Sequence, residues 1–356
     1  MLLASSCLIA ESEEVPVLRV LNWSEYLSVD PKVDDGLAIE EKSYALREFS
    51  KEFGCKVEYY EYEETTEAFS RIDKNEGFYD VVVASSGEVV RMIEGGYVEP
   101  LDKVKIPNYR YVSLFYDDLE SQRDIWNYAM PYLYGTTGIA FRSDLVSQMV
   151  TGLDQFFDPE FSPDVKRAIL NDSQVMFGLV SIMLGNDPNT NRRGYHSDAA
   201  KTLHRLKSAN LIDTISTSVE LLGEKLVNGE IGFAIMYSGD ALGIAEEESN
   251  IEYIIPSEGA EYYIDSFVIP SSSKNKELAH SFLNFMLRPD INARESMELL
   301  FPTLNLAALS IVEKRAPDQL LDENIYPLPE TVRGLHEFSM RSASLIQYWH
   351  RFLNEN

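Results

Sequence analysis

The sequence predicts an α/β protein of two lobes, each a mostly parallel sheet flanked by helices, with hinge crossover strands and a ligand cleft between the lobes. The chain has 356 residues, which is more than one hydrophobic core usually holds. Strand and helix patterns alternate along both halves, as in parallel sheets with crossover helices. Polar and aromatic side chains follow several strands, at the sheet edge where α/β proteins bind ligands.

The first lobe is predicted to begin with strands that are each followed by a helix. Apolar periodicity places these strands at 17–21, 56–62 and 81–84. The helix after the first strand has Leu46, Phe49 and Phe53 on one face, and the helix after the third ends at Gly95 and Gly96. This order of elements implies parallel strands joined by crossover helices.

A tyrosine-rich segment after Pro100 leads into the second lobe, which begins with a predicted strand at 134–141. The patterns then predict helices at 172–184, 197–209, 219–227 and 276–287, and strands at 232–237, 251–255 and 262–269. We assign lobe 1 to 17–132 and 264–300, and lobe 2 to 133–263 and 301–356. A chain that crosses between lobes more than once forms a hinge around which a cleft opens and closes.

The formal net charge is −27, from 58 acidic and 31 basic side chains. A field of this sign repels nucleic acid and anionic headgroups and attracts cations, so it excludes nucleic acid as a partner. Acidity also keeps an abundant protein soluble. The charge therefore favours a cationic ligand without proving one.

The cysteines, Cys7 and Cys55, are too few and too far apart for a disulfide framework or a metal knuckle. Cys55 is predicted to be a buried free thiol. Cys7 ends a short apolar segment of small residues and looks like the end of a bacterial lipoprotein signal, in which the cysteine receives the lipid. We expect 1–16 to be a leader remnant and flexible tether, with a chance small-residue segment as the alternative. No run approaches the roughly 20 apolar residues that span a bilayer.

Short segments bring aromatic rings, hydroxyls and carboxylates to the ends of predicted strands. They are 22–26, 84–87, 131–138, 236–240 and 262–266. Carboxylates accept charge-assisted hydrogen bonds from ammonium groups, and ring faces attract cations. This is the chemistry of a site for an organic cation. The sequence contains no nucleophile elbow, zinc-protease motif, P-loop or dinucleotide fingerprint, so we expect no enzyme, cofactor or metal.

A series of motifs resembles, in order, those of the extracytoplasmic spermidine/putrescine-binding proteins of bacterial ABC-type uptake systems. They lie at 22–26, 79–83, 131–137, 228–230, 264–266, 274–277, 287–290 and 302–308. The resemblance extends from Val17 to the C-terminus. It implies capture of a polyamine by lobe closure, delivery to a membrane ABC permease, and a place in the periplasmic space or on the extracytoplasmic face of the membrane.

The resemblance also implies which residues bind the ligand. Trp23 and Tyr26 match the aromatic pair after the first strand, and Ser85 matches the serine after the third. Asp172 matches an amine-binding aspartate of the second lobe, and Asp265 matches the aspartate that grips an amino group.

Tyr237 and Tyr263 occupy positions at which family tryptophans wall the methylene chain. Tyr262 and Tyr263 are adjacent in a strand and point to opposite sides, so only one of them is expected to reach the cleft. The alternative for Trp23, Tyr237 and Tyr263 is a core position. For Asp172 the alternative is capping of the helix that follows.

Some positions depart from the family pattern. Gly87 stands in place of a tyrosine, Val175 of a glutamate and Phe338 of a glutamine. These changes remove a ring, a charge and an amide from the implied site. They favour a diamine, or another amine, over a longer polyamine.

Other functions remain open at this level. The same fold binds other cations, and ferric iron is the strongest alternative because tyrosines with a histidine and a carboxylate can hold it. A hydrolase would use paired carboxylates such as Asp172 and Asp265 across the cleft. A sensory role, in which the closed form signals to a membrane receptor, has the same sequence features as transport.

Overall fold

A computed structural model describes residues 15–30, 32–34, 36–63, 65–113, 125–332, 334–338 and 342–354. Cys7 and most of the predicted tether lie outside the described residues. No described helix is long and apolar enough to cross a membrane. Cys55 is buried and free, as predicted.

The described part of the chain contains the following strands and helices. The strands are β1 (Val17–Trp23), β2 (Lys56–Tyr62), β3 (Val81–Ser85), β4 (Ala129–Arg142), β5 (Arg167–Leu170), β6 (Ile212–Ser216), β7 (Phe233–Tyr237), β8 (Ile251–Ile254), β9 (Ala260–Val268) and β10 (Leu335–His336). The helices are α1 (Ile39–Lys42), α2 (Tyr44–Phe53), α3 (Thr65–Lys74), α4 (Ser86–Glu94), α5 (Leu153–Phe157), α6 (Ser173–Met183), α7 (Arg193–Ser208), α8 (Val219–Val227), α9 (Ser238–Glu247), α10 (Lys276–Met286), α11 (Pro289–Leu299), α12 (Leu306–Arg315), α13 (Pro317–Leu321), α14 (Pro329–Val332) and α15 (Ala343–Asn354).

The strands pair in the order β2-β1-β3-β9-β4-β7-β5-β6, with β10 beside β9 and β8 beside β4. Both ends of this order are parallel, as β-α-β units require. The middle is antiparallel, because β9 runs opposite to β3 and β4, and β4 runs opposite to β7 and β8. The α/β class and the crossover strands are confirmed.

β4 and β9 carry the chain from one half of the molecule to the other. The first part of β4 pairs with β9 from Ala129 onward, and the register shifts between Pro131 and Leu133. The last part of β4, from Thr137 to Phe141, pairs with β7. Of these crossing strands, β9 carries the predicted binding residues Tyr263 and Asp265.

Separate hydrophobic clusters form the cores of the two halves. In the first half, clusters on opposite faces of the sheet contain Phe49 with Phe282 and Leu21 with Val82. In the second half, one cluster joins the residues around β5 and β7 to those of the C-terminal helix α15, including Phe352. The lobe boundaries assigned from the sequence stay a prediction.

The element predictions fail mainly in the second half. β4 begins at Ala129 and not at 134, because the strand already pairs with β9 before it enters the second half. β5, β6 and the helices α11 to α13 were not predicted from the sequence. β5 consists of only Arg167–Leu170 and is buried throughout, so it shows no alternation of polar and apolar residues.

Candidate functional site

Asp265 lies at the centre of the cleft on β9. Its neighbours in register are Ser85 of β3 on one side and Leu133 of β4 on the other. The residue is only 5% exposed. Burial raises the pKa of its carboxyl to about 7, against the opposing effect of the nearby Tyr26 and Trp23 groups, and no cation among the described residues offsets it. Asp265 is thus a buried acid that has no counter-ion within the described ranges.

The turn after β1 brings Trp23 and Tyr26 to Asp265. Asn22 holds this turn: its Nδ2 donates to the Tyr26 carbonyl, and its Oδ1 accepts from the Trp23 amide, each at 2.8 Å. Trp23 Nε1 and Tyr26 Oη are buried and reach no described group at standard hydrogen-bond geometry, although both lie close enough to Asp265 to affect its pKa. Both polar atoms therefore lie beside the Asp265 carboxyl without a well-formed hydrogen bond to it.

The rings of this turn are fixed by aromatic contacts. The Trp23 ring lies 4.2 Å from the ring of Tyr62, centroid to centroid. The Tyr26 ring makes edge contacts with Tyr132 at 5.5 Å and with Phe301 at 5.0 Å. Since packed aromatic rings resist displacement, this side of the cleft is preorganised.

Glu295 of α11 stabilises the segment that follows this turn through hydrogen bonds from Ser28. Its side chain is fully buried and accepts from the Ser28 amide at 2.8 Å, from Ser28 Oγ at 2.6 Å and from Tyr132 Oη at 2.9 Å. Burial raises the pKa of Glu295 to about 6, and the hydrogen bonds from Ser28 and Tyr132 oppose that rise. Through Ser28 and Tyr132, Glu295 connects the core to the Tyr26 ring.

Replacing Glu295 by alanine is expected to lower the free energy of unfolding by about 2 to 4 kcal/mol, because it leaves buried donors without acceptors. Urea unfolding at pH 7 measures this. The control is Glu298→Ala in the same helix, which breaks only a partly exposed ion pair with Arg294 and should cost less than about 1 kcal/mol. Equal, small losses for both variants would contradict the supporting role.

Tyr263 of β9 and Tyr237 of β7 form a second group of aromatic rings, apart from those of the turn after β1. Their rings meet edge to face, with centroids 5.4 Å apart. Gly135 lies opposite Tyr263 in register, and a Cβ at Gly135 would stand only 2.5 Å from Tyr263 Oη. Tyr262 is buried in a hydrophobic cluster, whereas Tyr263 is half-buried. The side chains of this adjacent pair therefore lie in different environments.

Asp172 caps α6, as the alternative reading of this residue anticipated. Its Oδ1 accepts from the Gln174 amide at 2.7 Å and from the Val175 amide at 3.1 Å. Burial raises the pKa of Asp172, and these backbone hydrogen bonds oppose the rise. Among the described residues, Oδ2 has no hydrogen-bond partner. The carboxylate is near Tyr237, because burial and then the charge of Asp172 raise the pKa of that tyrosine.

The structure therefore brings the predicted residues together through a continuous set of contacts. Ser85 and Asp265 are paired in register, and Trp23 and Tyr26 adjoin Asp265. Tyr263 follows on β9 and meets Tyr237 at the end of β7, and Asp172 lies at the N-cap of α6. Their contact with a ligand stays a prediction.

The positions that depart from the family pattern have structural roles here. Val175 and Phe338 are both buried in the core of the second half. The Phe338 ring lies against Gly178 of α6, where a Cβ would come within 2.4 Å of it, and the Phe338 carbonyl accepts from Gln174. Gly87 is half-buried near the start of α4.

Sequence reasoning missed further acids of the cleft, namely Asp240, Glu261 and Glu337. Burial raises the pKa of Asp240 to about 7, of Glu261 to about 8 and of Glu337 to about 7. The charge of Glu25 adds to the rise at Asp240, and that of Asp172 to the rise at Glu261. A signal was present for Glu261, which precedes Tyr263 by two residues and so shares its strand face.

Acidic groups of both halves also face each other at the mouth of the cleft. Glu25, in the turn after β1, is exposed and has a left-handed backbone with φ of 57°. Although the residue as a whole is exposed, partial burial of its carboxyl and then the charge of Glu220, on α8, raise its pKa. Within the described ranges, no group of three or more His, Cys, Asp or Glu side chains is arranged to hold a metal ion. The cleft therefore combines ring faces with an excess of negative charge.

Comparison with known proteins agrees with this chemistry. The family model described as bacterial extracellular solute-binding protein matches residues 45–314. The chain is 31% identical over 345 residues to a putrescine-binding periplasmic protein of Pseudomonas aeruginosa, covering 92% of this chain and 88% of that protein. It is 28% identical over 328 residues to the spermidine/putrescine-binding periplasmic protein of Escherichia coli, covering 91% and 87%.

Among solved structures, the chain is similar to a putative spermidine/putrescine ABC transporter protein from Listeria monocytogenes. The TM-score is 0.78 and the sequence identity is 26%, with 95% of this chain and 98% of that chain covered. The chain therefore belongs to the bacterial extracellular solute-binding protein family, alongside the periplasmic spermidine/putrescine-binding proteins.

Proposed function

We propose that this protein captures a polyamine in the cleft between its lobes, on the extracytoplasmic side of the membrane, and delivers it to an ABC permease. The single observation that carries this proposal is the set of buried carboxyls around Asp265 that no described cation neutralises. Such groups are costly to bury in charged form without a partner. An alkyl ammonium ligand supplies the missing partner.

The arrangement suits both parts of a polyamine. The ammonium ends require charge-assisted hydrogen bonds to replace their water, and Asp265 offers a carboxylate for this purpose. The methylene stem requires apolar contact, which the rings of Trp23, Tyr237 and Tyr263 supply. Ring faces add cation-π attraction of about 0.5 to 2 kcal/mol each. Ligand contact by these residues is part of the proposal.

We propose further that the ligand leaves chemically unchanged. The relatives are named as periplasmic spermidine/putrescine-binding and putrescine-binding proteins, and a capture protein excludes water from the ligand whereas a hydrolase admits it. Mass spectrometry of spermidine after overnight incubation tests this point. An altered mass would favour the hydrolase alternative.

Lipid attachment at Cys7 belongs to the proposal as well and would tether the protein to the membrane. Membrane fractionation of cells that express the protein and its Cys7→Ser variant tests it. The unmodified sequence should sediment with membranes and the variant should not. Equal distribution of both proteins would rule out lipid attachment at this residue.

A thermal-shift screen against putrescine, spermidine, spermine, cadaverine and ferric iron tests the proposed ligand class. A polyamine at 100 times its dissociation constant should stabilise the protein by about 2.7 kcal/mol. Butylamine, which lacks a second ammonium group, serves as the control and should produce a much smaller shift. A shift with ferric iron and none with any polyamine would replace the proposal with the metal alternative.

A further inference from the structure

We infer that Glu261 selects a triamine over a diamine by accepting the far ammonium of a spermidine-length ligand whose near ammonium is bound by Asp265. This inference rests on the proposed function. It assigns a role in specificity to a residue that the resemblance did not imply.

Glu261 and Asp265 share one face of β9. Glu261, Tyr263 and Asp265 alternate along the strand and so point to the same side, whereas Tyr262 and Ile264 belong to a hydrophobic cluster on the other side. Four residues of strand separate the two acids by about 13 Å between Cα atoms. The Tyr263 ring lies between them.

The Glu261 side chain is buried and is held by one hydrogen bond. It is 8% exposed, and its Oε2 accepts from Thr137 Oγ1 at 2.6 Å. Thr137 is its partner in register on β4 and is fully buried. Among the described residues, Oε1 has no hydrogen-bond partner. Thr137 therefore holds the carboxylate in place and leaves one oxygen for a donor.

The charged groups around Glu261 are acidic. Asp172, Glu337 and Asp265 all act on Glu261 to favour its neutral form, and no lysine or arginine of the described chain opposes them. Within the described residues, this end of the cleft therefore holds no lysine or arginine partner for Glu261, and its register neighbour on the other side is His336 of β10. At the other end, Tyr26 Oη is buried beside Asp265 without a partner at standard hydrogen-bond geometry. Groups suited to an ammonium thus occur at both ends of the cleft.

The separation of the two acids bears on the length of the ligand. Putrescine is a single methylene chain between ammonium groups, and this chain is shorter than the Cα separation of Asp265 and Glu261 along β9. Spermidine adds a second arm and a further ammonium. Val175 stands where the family pattern has a glutamate, and Glu261 supplies a negative charge in its place. The structure thus favours the longer ligand, in contrast to the diamine that the departures alone favoured.

Calorimetric titration of Glu261→Gln with spermidine and with putrescine tests this inference. Spermidine should bind to this variant at least ten-fold more weakly than it binds to the unmodified protein. The affinity for putrescine should change by less than two-fold. The control is Glu252→Gln, which makes the same change in charge on an exposed position of β8 and should alter neither affinity. Thermal unfolding without ligand verifies that each variant is folded.

The outcomes separate the inference from the function on which it rests. Equal losses for both amines, or a spermidine loss below two-fold, would overturn the role of Glu261 while polyamine capture stands. Failure of the unmodified protein to bind either amine would overturn the proposed function itself. If Glu261→Gln does not fold, the unmodified protein still decides the point: it should prefer spermidine to putrescine at least ten-fold, and the reverse order would contradict the inference.

Discussion

Asp265→Asn is expected to weaken polyamine binding by about 2 to 5 kcal/mol, the usual cost of removing one member of a buried charge pair. This corresponds to a loss of roughly 30-fold to several thousand-fold in affinity. Asparagine keeps the shape of the side chain, but it is neutral and turns an amide donor toward the ammonium. Isothermal titration calorimetry with spermidine at pH 8 measures the change.

The same substitution should leave the ligand-free protein at least as stable as before. Asp265 is a buried acid for which the described part of the chain provides no counter-ion, so its neutral replacement removes a desolvation cost. Asp318→Asn on α13 is the matched control, since it makes the same change in charge at an exposed position. Unchanged binding by Asp265→Asn, or equal losses in both variants, would contradict the assigned role.

Polyamine affinity should fall as the pH is lowered from about 8 to about 6, by roughly ten-fold per pH unit for each carboxyl that must lose its proton. The pKa is about 7 for Asp265 and Asp240 and about 8 for Glu261. Below these values the groups are neutral and attract an ammonium weakly. Binding therefore releases protons, and calorimetry in buffers of different ionisation enthalpy counts them.

The stability of the ligand-free protein should move in the opposite direction. The cleft acids have a folded-state pKa above the unfolded value of about 4, so their contribution is complete below pH 4 and is lost as the pH rises toward 8. The paired surface acids Glu52 and Glu58 have a lowered pKa, and their contribution is lost only when the pH falls below about 4. Unfolding midpoints between about pH 5 and 8.5 therefore report on the buried acids, that is, on the cleft acids together with Glu295 of the core. A flat profile, or affinity that rises as the pH falls, would contradict this account.

The sequence was sufficient to predict elements with strong periodicity. β2 and α8 match their predicted bounds, because alternation and amphipathic spacing mark them clearly. β5 lacks such a signal and also begins with the fully buried Arg167, whose guanidinium donates to the carbonyls of Val165, Asp158 and Phe161. A charged residue inside a buried strand is understood only when these carbonyls are seen around it.

The candidate site was predicted in part. Local chemistry and the resemblance identified Asp265, Trp23 and the tyrosines, since they lie at strand ends with polar neighbours. Asp240 and Glu337 were missed because their raised pKa values arise from burial among segments that are distant in sequence. Glu261 was accessible from strand alternation alone, but its hydrogen bond to Thr137 could not be derived before β4 and β9 were paired.

A crystal structure of the protein grown with spermidine is the most direct test of the central claim, which is that a cationic amine completes the buried acids of the cleft. An ammonium nitrogen should lie within about 2.7 to 3.2 Å of an Asp265 carboxylate oxygen, with the methylene stem against the rings of Trp23, Tyr237 and Tyr263. A cleft without amine at saturating ligand, or an Asp265 neutralised by a lysine or arginine of the protein itself, would contradict the account.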